Sequence, residues 1–207
     1  MYDDVSARYR DVVSYYRELI EYREHFCYTV TTPLAIGEAV RRIGMQEGDL
    51  LSAEGHDTLA EEGCLLIGQV GQAVVTFDEA GVGRFLRGEA ALAGGCDYGI
   101  VQWDSYNLMF GYVRRDGGGG SWDEELRDDE ESGEDMVAAL RRGPLTKYAD
   151  LFQRYLLAEE ADDEEGEDPT YLQAVMLTVL ELETGVRLDA RIIGDLPYAL
   201  HVPPSLR

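Results

Sequence analysis

Apolar residues recur at two spacings along this chain, and the changes between them mark the predicted elements. Over residues 2–24, Val5, Tyr9, Val12, Tyr16, Leu19 or Ile20, and Arg23 fall three and four apart, the period of an amphipathic helix. Phe26–Thr31, FCYTVT, is β-branched and aromatic and predicts a short strand. Thr32-Pro33 predicts a helix start, with Thr32 as cap and Pro33 in the first turn. Leu34, Ile36, Ala39, Val40 and Ile43 supply that helix's apolar face, and Gly44 stops it. Met45–Gly63 is polar and acidic and predicts a surface connection. Leu65–Val70 and Ala73–Phe77 flank Gly71-Gln72, a hairpin signal. Arg84–Leu92 predicts a short helix closed by Gly94-Gly95.

The longest apolar and aromatic run is Gly95–Gly120. It predicts two strands in the middle of a sheet, Tyr98–Trp103 and Leu108–Val113, around the polar turn Asp104–Asn107. Leu108, Phe110 and Tyr112 alternate with Met109 and Val113, so cover is expected on both faces of the second strand. Gly117–Gly120 predicts a flexible loop, and Ser121–Asp135 a solvated, mobile one. A short helix at Glu134–Arg142 and an amphipathic helix at Leu145–Glu160 follow, the latter with Tyr148, Leu151, Phe152, Tyr155 and Leu156 on one side. After a second acidic segment, Ala161–Asp168, comes the most apolar helix, Pro169–Thr184, with Gly185 at its C-cap. A short helix is expected at Ala190–Ile193.

These elements make an α+β protein: a mainly antiparallel sheet of hairpins covered by helices, with an N-terminal helix. Residues 1–24 form a Tyr-rich helix, which either packs on the sheet or serves as a docking arm. Residues 25–207 form a single α+β domain with acidic loops at 121–135 and 161–168.

Charge narrows the function classes. The chain has 41 acids against 18 bases, a net of −23. Nucleic acid is excluded as a direct partner, because phosphate contacts need clustered Lys and Arg. Anionic membrane surfaces are disfavoured on the same ground, and no apolar stretch is long enough to span a bilayer. The natural complements are a basic partner protein or metal cations. The first residues, MYDDVSARYRDVV, carry acids where a secretion signal needs bases. Cys27, Cys64 and Cys96 are odd in number and widely spaced, which reads as reduced thiols in a cytoplasmic setting.

Catalytic and metal constellations are thin. His25 and Cys27 would share a face on a strand, but no second such pair accompanies them. Asp104, Ser105 and His56 lack a nucleophile-elbow context. The glycine cluster at 117–120 is followed by no Lys of a phosphate-binding loop. Asp162–Asp168 lacks the ligand alternation of an EF-hand. No catalytic residue, metal ligand or cofactor is expected.

Four segments carry a resemblance: TPLAIGEAVRRIG, LLIGQVGQAVVTFDEAG, GIVQWDSYNLMFGYVRRDG and ETGVRLD. Together they resemble an actinobacterial family of domains of unknown function, over roughly Phe26–Ile193. That family has a sheet of hairpins followed by helices and a late TGV-R-L element. It often has Trp after the first hairpin turn, where this chain has Gln72-Ala73-Val74. The resemblance implies the fold and a bacterial cytoplasmic setting, and carries over no site residue.

The acidic segments are the least ordinary feature. Ser121–Asp135 holds nine acids and one base, Arg127. The expected partner-binding residues are Asp123, Glu124, Glu125, Asp128, Asp129, Glu130 and Glu131, with Trp122 and Tyr148 as aromatic anchors. This composition suits an acidic binding protein, for instance an immunity-type inhibitor of a basic toxin. The alternative is an assembly subunit docking through its N-terminal helix.

Overall fold

Eight strands form one antiparallel sheet in the order β2-β8-β3-β4-β1-β5-β6-β7. They are β1 (Phe26–Thr32), β2 (Leu51–Ser52), β3 (Cys64–Val70), β4 (Ala73–Asp78), β5 (Asp97–Trp103), β6 (Asn107–Val113), β7 (Gly119–Glu125) and β8 (Tyr198–His201). Among the described residues they are accompanied by the helices α1 (Tyr2–Ile20), α2 (Ile36–Ile43) and α3 (Pro169–Thr184). This computed structural model describes residues 2–21, 23–53, 64–78, 92–104, 107–117, 119–125, 146–148, 151, 169–190, 192 and 196–203. The predicted α+β class, with an antiparallel sheet and an N-terminal helix, is the observed one.

Strand alternation sorts the core into two layers. One face presents Phe26, Tyr28, Val75, Phe77, Val101, Trp103, Phe110 and Tyr112 to α3 and α1. Phe26 stacks on Trp103 with ring centroids 4.0 Å apart and meets Phe77 edge-on at 5.2 Å. Gly99 lets α3 approach β5 so closely that a Cβ there would collide with Leu180. The other face places Leu65, Ile67, Val74, Tyr98, Ile100 and Leu200 against Ala39, Val40 and Ile43 of α2.

Helix α1 buries Tyr9, Val13, Tyr16 and Ile20, and its main neighbour is α3. Its buried residues join the same core layer as the α3 face of the sheet. The Tyr16 hydroxyl donates to Glu181 Oε2 at 2.7 Å, and Tyr15 donates to the Leu188 carbonyl at 3.1 Å. Arg187 grips the same Glu181 with a forked guanidinium at 2.8–3.1 Å. Burial, and then the bond to Glu181, raise the Tyr16 pKa far above the ordinary phenol value.

Several local expectations are corrected. Thr32 does not cap a helix; it stays in β1 opposite Asp97, and α2 begins at Ile36 with no side-chain cap. The first-turn N–H of Ile36 is satisfied by Gln69 Oε1 of the β3–β4 hairpin at 2.9 Å. Gly44 does end α2, in the left-handed region at φ 92°. The connection after Met45 contains the short strand β2. Strands β5 and β6 are interior, but β4 and β1 hold the centre of the sheet. Cover on the second face of β6 is partial: Met109 is half-buried, and Val113 is 42% exposed.

The largest correction concerns 117–125. Arg114–Gly117 is a tight turn, closed by the Gly117 N–H on the Arg114 carbonyl at 2.9 Å, with Gly117 at φ 86°. It returns the chain along β6, so Gly119–Glu125 is a strand and not the start of an acidic loop. Pairing satisfies the β6 backbone groups, and charged side chains are compatible with an edge strand. The rest of the 121–135 segment, the whole of 161–168 and the helix expected at Glu134–Arg142 lie outside the described residues. Of the Leu145–Glu160 helix, Thr146–Tyr148 is a 3₁₀ turn. Among the described residues no helix is long and apolar enough to cross a membrane.

Candidate functional site

The sequence-predicted acidic residues begin on β7. Its backbone runs antiparallel to β6 in unbroken register: Gly119 opposite Val113, Trp122 opposite Phe110, Asp123 opposite Met109, Glu124 opposite Leu108 and Glu125 opposite Asn107. Among the described residues β7 pairs with β6 alone, and it is the last strand of the sheet. Three consecutive acids thus sit on the last strand of the sheet, within a seven-residue ladder. Asp128, Asp129, Glu130 and Glu131 continue that charge in sequence and lie outside the described residues.

The two arginines of the β6–β7 turn are engaged in ion pairs. Arg115, in the β6–β7 turn, binds Asp97 through its backbone N–H at 2.9 Å and its guanidinium at 2.7 Å. Arg114 pairs with Asp116 at 3.6 Å. Burial pushes the Asp97 pKa up, but the hydrogen bonds from Arg115 outweigh it and hold the carboxyl below its usual range.

Tyr148 does not belong to this surface. It is 4% exposed and meets Tyr9 of α1 edge-on at 6.1 Å. The Lys147 ammonium lies 4.9 Å over its ring and pairs with Glu183 of α3. An aromatic on an apolar stripe was spent on the core, where burial raises its pKa. The expected anchor is thereby removed from the partner-binding set.

A second polar group escaped the sequence reading. Thr29, Thr31, Thr76, Asp78 and Gln102 are all buried. Strand alternation puts every one of them on the α2 face. Asp78 and Gln102 flank Cys27 on either side in the register, and Thr29 and Thr76 share a 2.6 Å hydroxyl contact. That contact joins β1 to β4 from within, while Gln102 Oε1 on β5 is buried without a hydrogen-bond partner among the described residues. Cys27 is wholly buried in this row, whereas His25 is exposed just before β1, so the two do not form a metal-binding pair. All three cysteines are buried, and none is in a disulfide. Among the described residues no cluster of His, Cys, Asp or Glu is placed to hold a metal ion. Asp104 is half-buried; Ser105 and His56 lie outside the described residues.

No protein-family model, curated protein or solved structure matches this chain. The site is accordingly judged on its own geometry. Strand β7 carries three consecutive acids in sequence, Asp123, Glu124 and Glu125, in a backbone ladder with β6. The buried row on the α2 face offers polar groups that are enclosed, which suits a structural part.

Proposed function

We propose that this protein is a non-enzymatic acidic binding protein that engages a basic protein partner along the β7 side of its sheet. An immunity-type inhibitor of a basic toxin, working in the bacterial cytoplasm, is the form this reading takes. The observation that carries it is the position of Asp123, Glu124 and Glu125 on the terminal strand, at the head of a sequence run with nine acids in Ser121–Asp135. A net charge of −23 steers a cationic partner toward the molecule and speeds encounter. The rim acids then set orientation.

Docking through the N-terminal helix is less favoured, because Tyr9, Val13, Tyr16 and Ile20 are committed to the core. The test is affinity capture from a bacterial lysate at low salt, eluted with a salt gradient, on wild type and on the triple variant Asp123→Lys, Glu124→Lys, Glu125→Lys. A basic protein retained by wild type and lost from the variant supports the proposal. Capture unaffected by the charge reversal refutes it.

A further inference from the structure

The two edges of the sheet differ in a way that points to how a partner is held. One edge, β2, is two residues long, Leu51–Ser52. Short edges resist pairing because they offer too few backbone groups. The other edge, β7, is seven residues long and keeps register with β6 from Gly119 to Glu125 without an extra residue on either strand. It contains no proline. Proline, bulges and brevity are usual ways to close an edge; among the described residues β7 shows none of them, and its sequence carries the acids Asp123, Glu124 and Glu125. A negative edge repels a neutral chain little, repels an acidic chain strongly and attracts a cationic one.

Building on the proposed function, we infer that the partner is held by strand addition: an extended, Lys- or Arg-bearing segment pairs along β7 as a ninth strand. In an antiparallel ladder alternate residues turn both N–H and C=O to the same side. About every second residue of β7 therefore offers its backbone pair to the outer side. Opposite charges across adjacent strands attract, which selects cationic residues opposite Asp123, Glu124 and Glu125. A second copy of this chain is the wrong occupant, because two molecules at −23 each repel one another.

The experiment uses the full chain and two labelled peptide probes of equal charge. One is a ten-residue alternating Lys-Thr peptide; the other is the same sequence N-methylated along its backbone, which removes the donors. Binding is read by anisotropy at low salt, and protection of the Gly119–Glu125 amides by hydrogen exchange. The expected result is binding of the first probe, at least tenfold weaker binding of the second, and slowed exchange confined to β7. Equal binding of both probes overturns strand addition while leaving a basic partner in place. Absence of binding by either also overturns it, and lysate capture then decides the basic-partner reading separately. Self-association that protects the same amides without a probe overturns it in favour of a second copy.

Discussion

The α3 face of the sheet and its β7 edge follow opposite rules. On the α3 face aromatic rings are stacked and crossed, a glycine admits close helix approach, and Leu172, Val175, Met176, Val179 and Leu180 are all at most 1% exposed. At β7 the residues are Gly-Gly-Ser-Trp-Asp-Glu-Glu, paired on one side among the described residues. That strand is held by its backbone ladder to β6. The difference teaches where each kind of change must register. Substitutions on the α3 face should alter stability, and on the proposed function substitutions at the edge should alter binding.

The largest expected effect is at the aromatic centre. Phe26→Ala removes a ring stacked on Trp103 and crossed by Phe77, and about 3–5 kcal/mol of stability goes with it. The unfolding midpoint in urea measures this. Next is Gly99→Ala, whose new methyl meets Leu180; overpacking of this kind costs about 1–3 kcal/mol, again visible as an earlier midpoint. If Gly99→Ala were neutral, the close approach of α3 would be wrong.

Two tyrosines sharpen the picture within the core. The Tyr16 hydroxyl is bonded to Glu181 at 2.7 Å, so Tyr16→Phe strands part of a carboxylate and costs about 1–2 kcal/mol. The Tyr28 hydroxyl is buried with no hydrogen-bond partner. Tyr28→Phe therefore leaves stability unchanged or raises it by up to about 1 kcal/mol. Equal losses in both variants would contradict this assignment of partners.

A small effect on stability, under about 1 kcal/mol, is expected at the Asp97–Arg115 pair, whose guanidinium is half-exposed. Asp97 has a lowered pKa in the fold. Its contribution is therefore present above the unfolded carboxyl value and is lost as pH falls through the folded one. Asp97→Asn should flatten that part of the stability profile, measured by denaturation between neutral and acid pH.

Much of the fold was legible because burial leaves periodic traces. Tyr9, Tyr16 and Ile20 kept helical spacing, and FCYTVT, the Gly71-Gln72 hairpin and the two strands after Gly95 read directly as sheet. Gly44 and Gly185 marked real helix ends, both at positive φ. Strand β7 was illegible because edge pairing needs no apolar alternation; only the glycine turn at Gly117 hinted at a return along β6. Strand β8, four residues long, was too short to show a pattern. Tyr148 read as an anchor because composition cannot tell an aromatic that faces solvent from one that meets Tyr9. The polar row of Thr29, Thr76, Asp78 and Gln102 went unnoticed because its members are far apart in sequence and meet only through strand register.

The most direct test of the edge assignment is to measure Lys-Thr peptide binding and urea unfolding side by side in wild type and in the Asp123→Lys, Glu124→Lys, Glu125→Lys variant. The account predicts a loss of affinity of tenfold or more at low salt, with the unfolding midpoint shifted by no more than about 0.5 kcal/mol in stability. Undiminished binding, or a loss matched by unfolding of the variant, would contradict it.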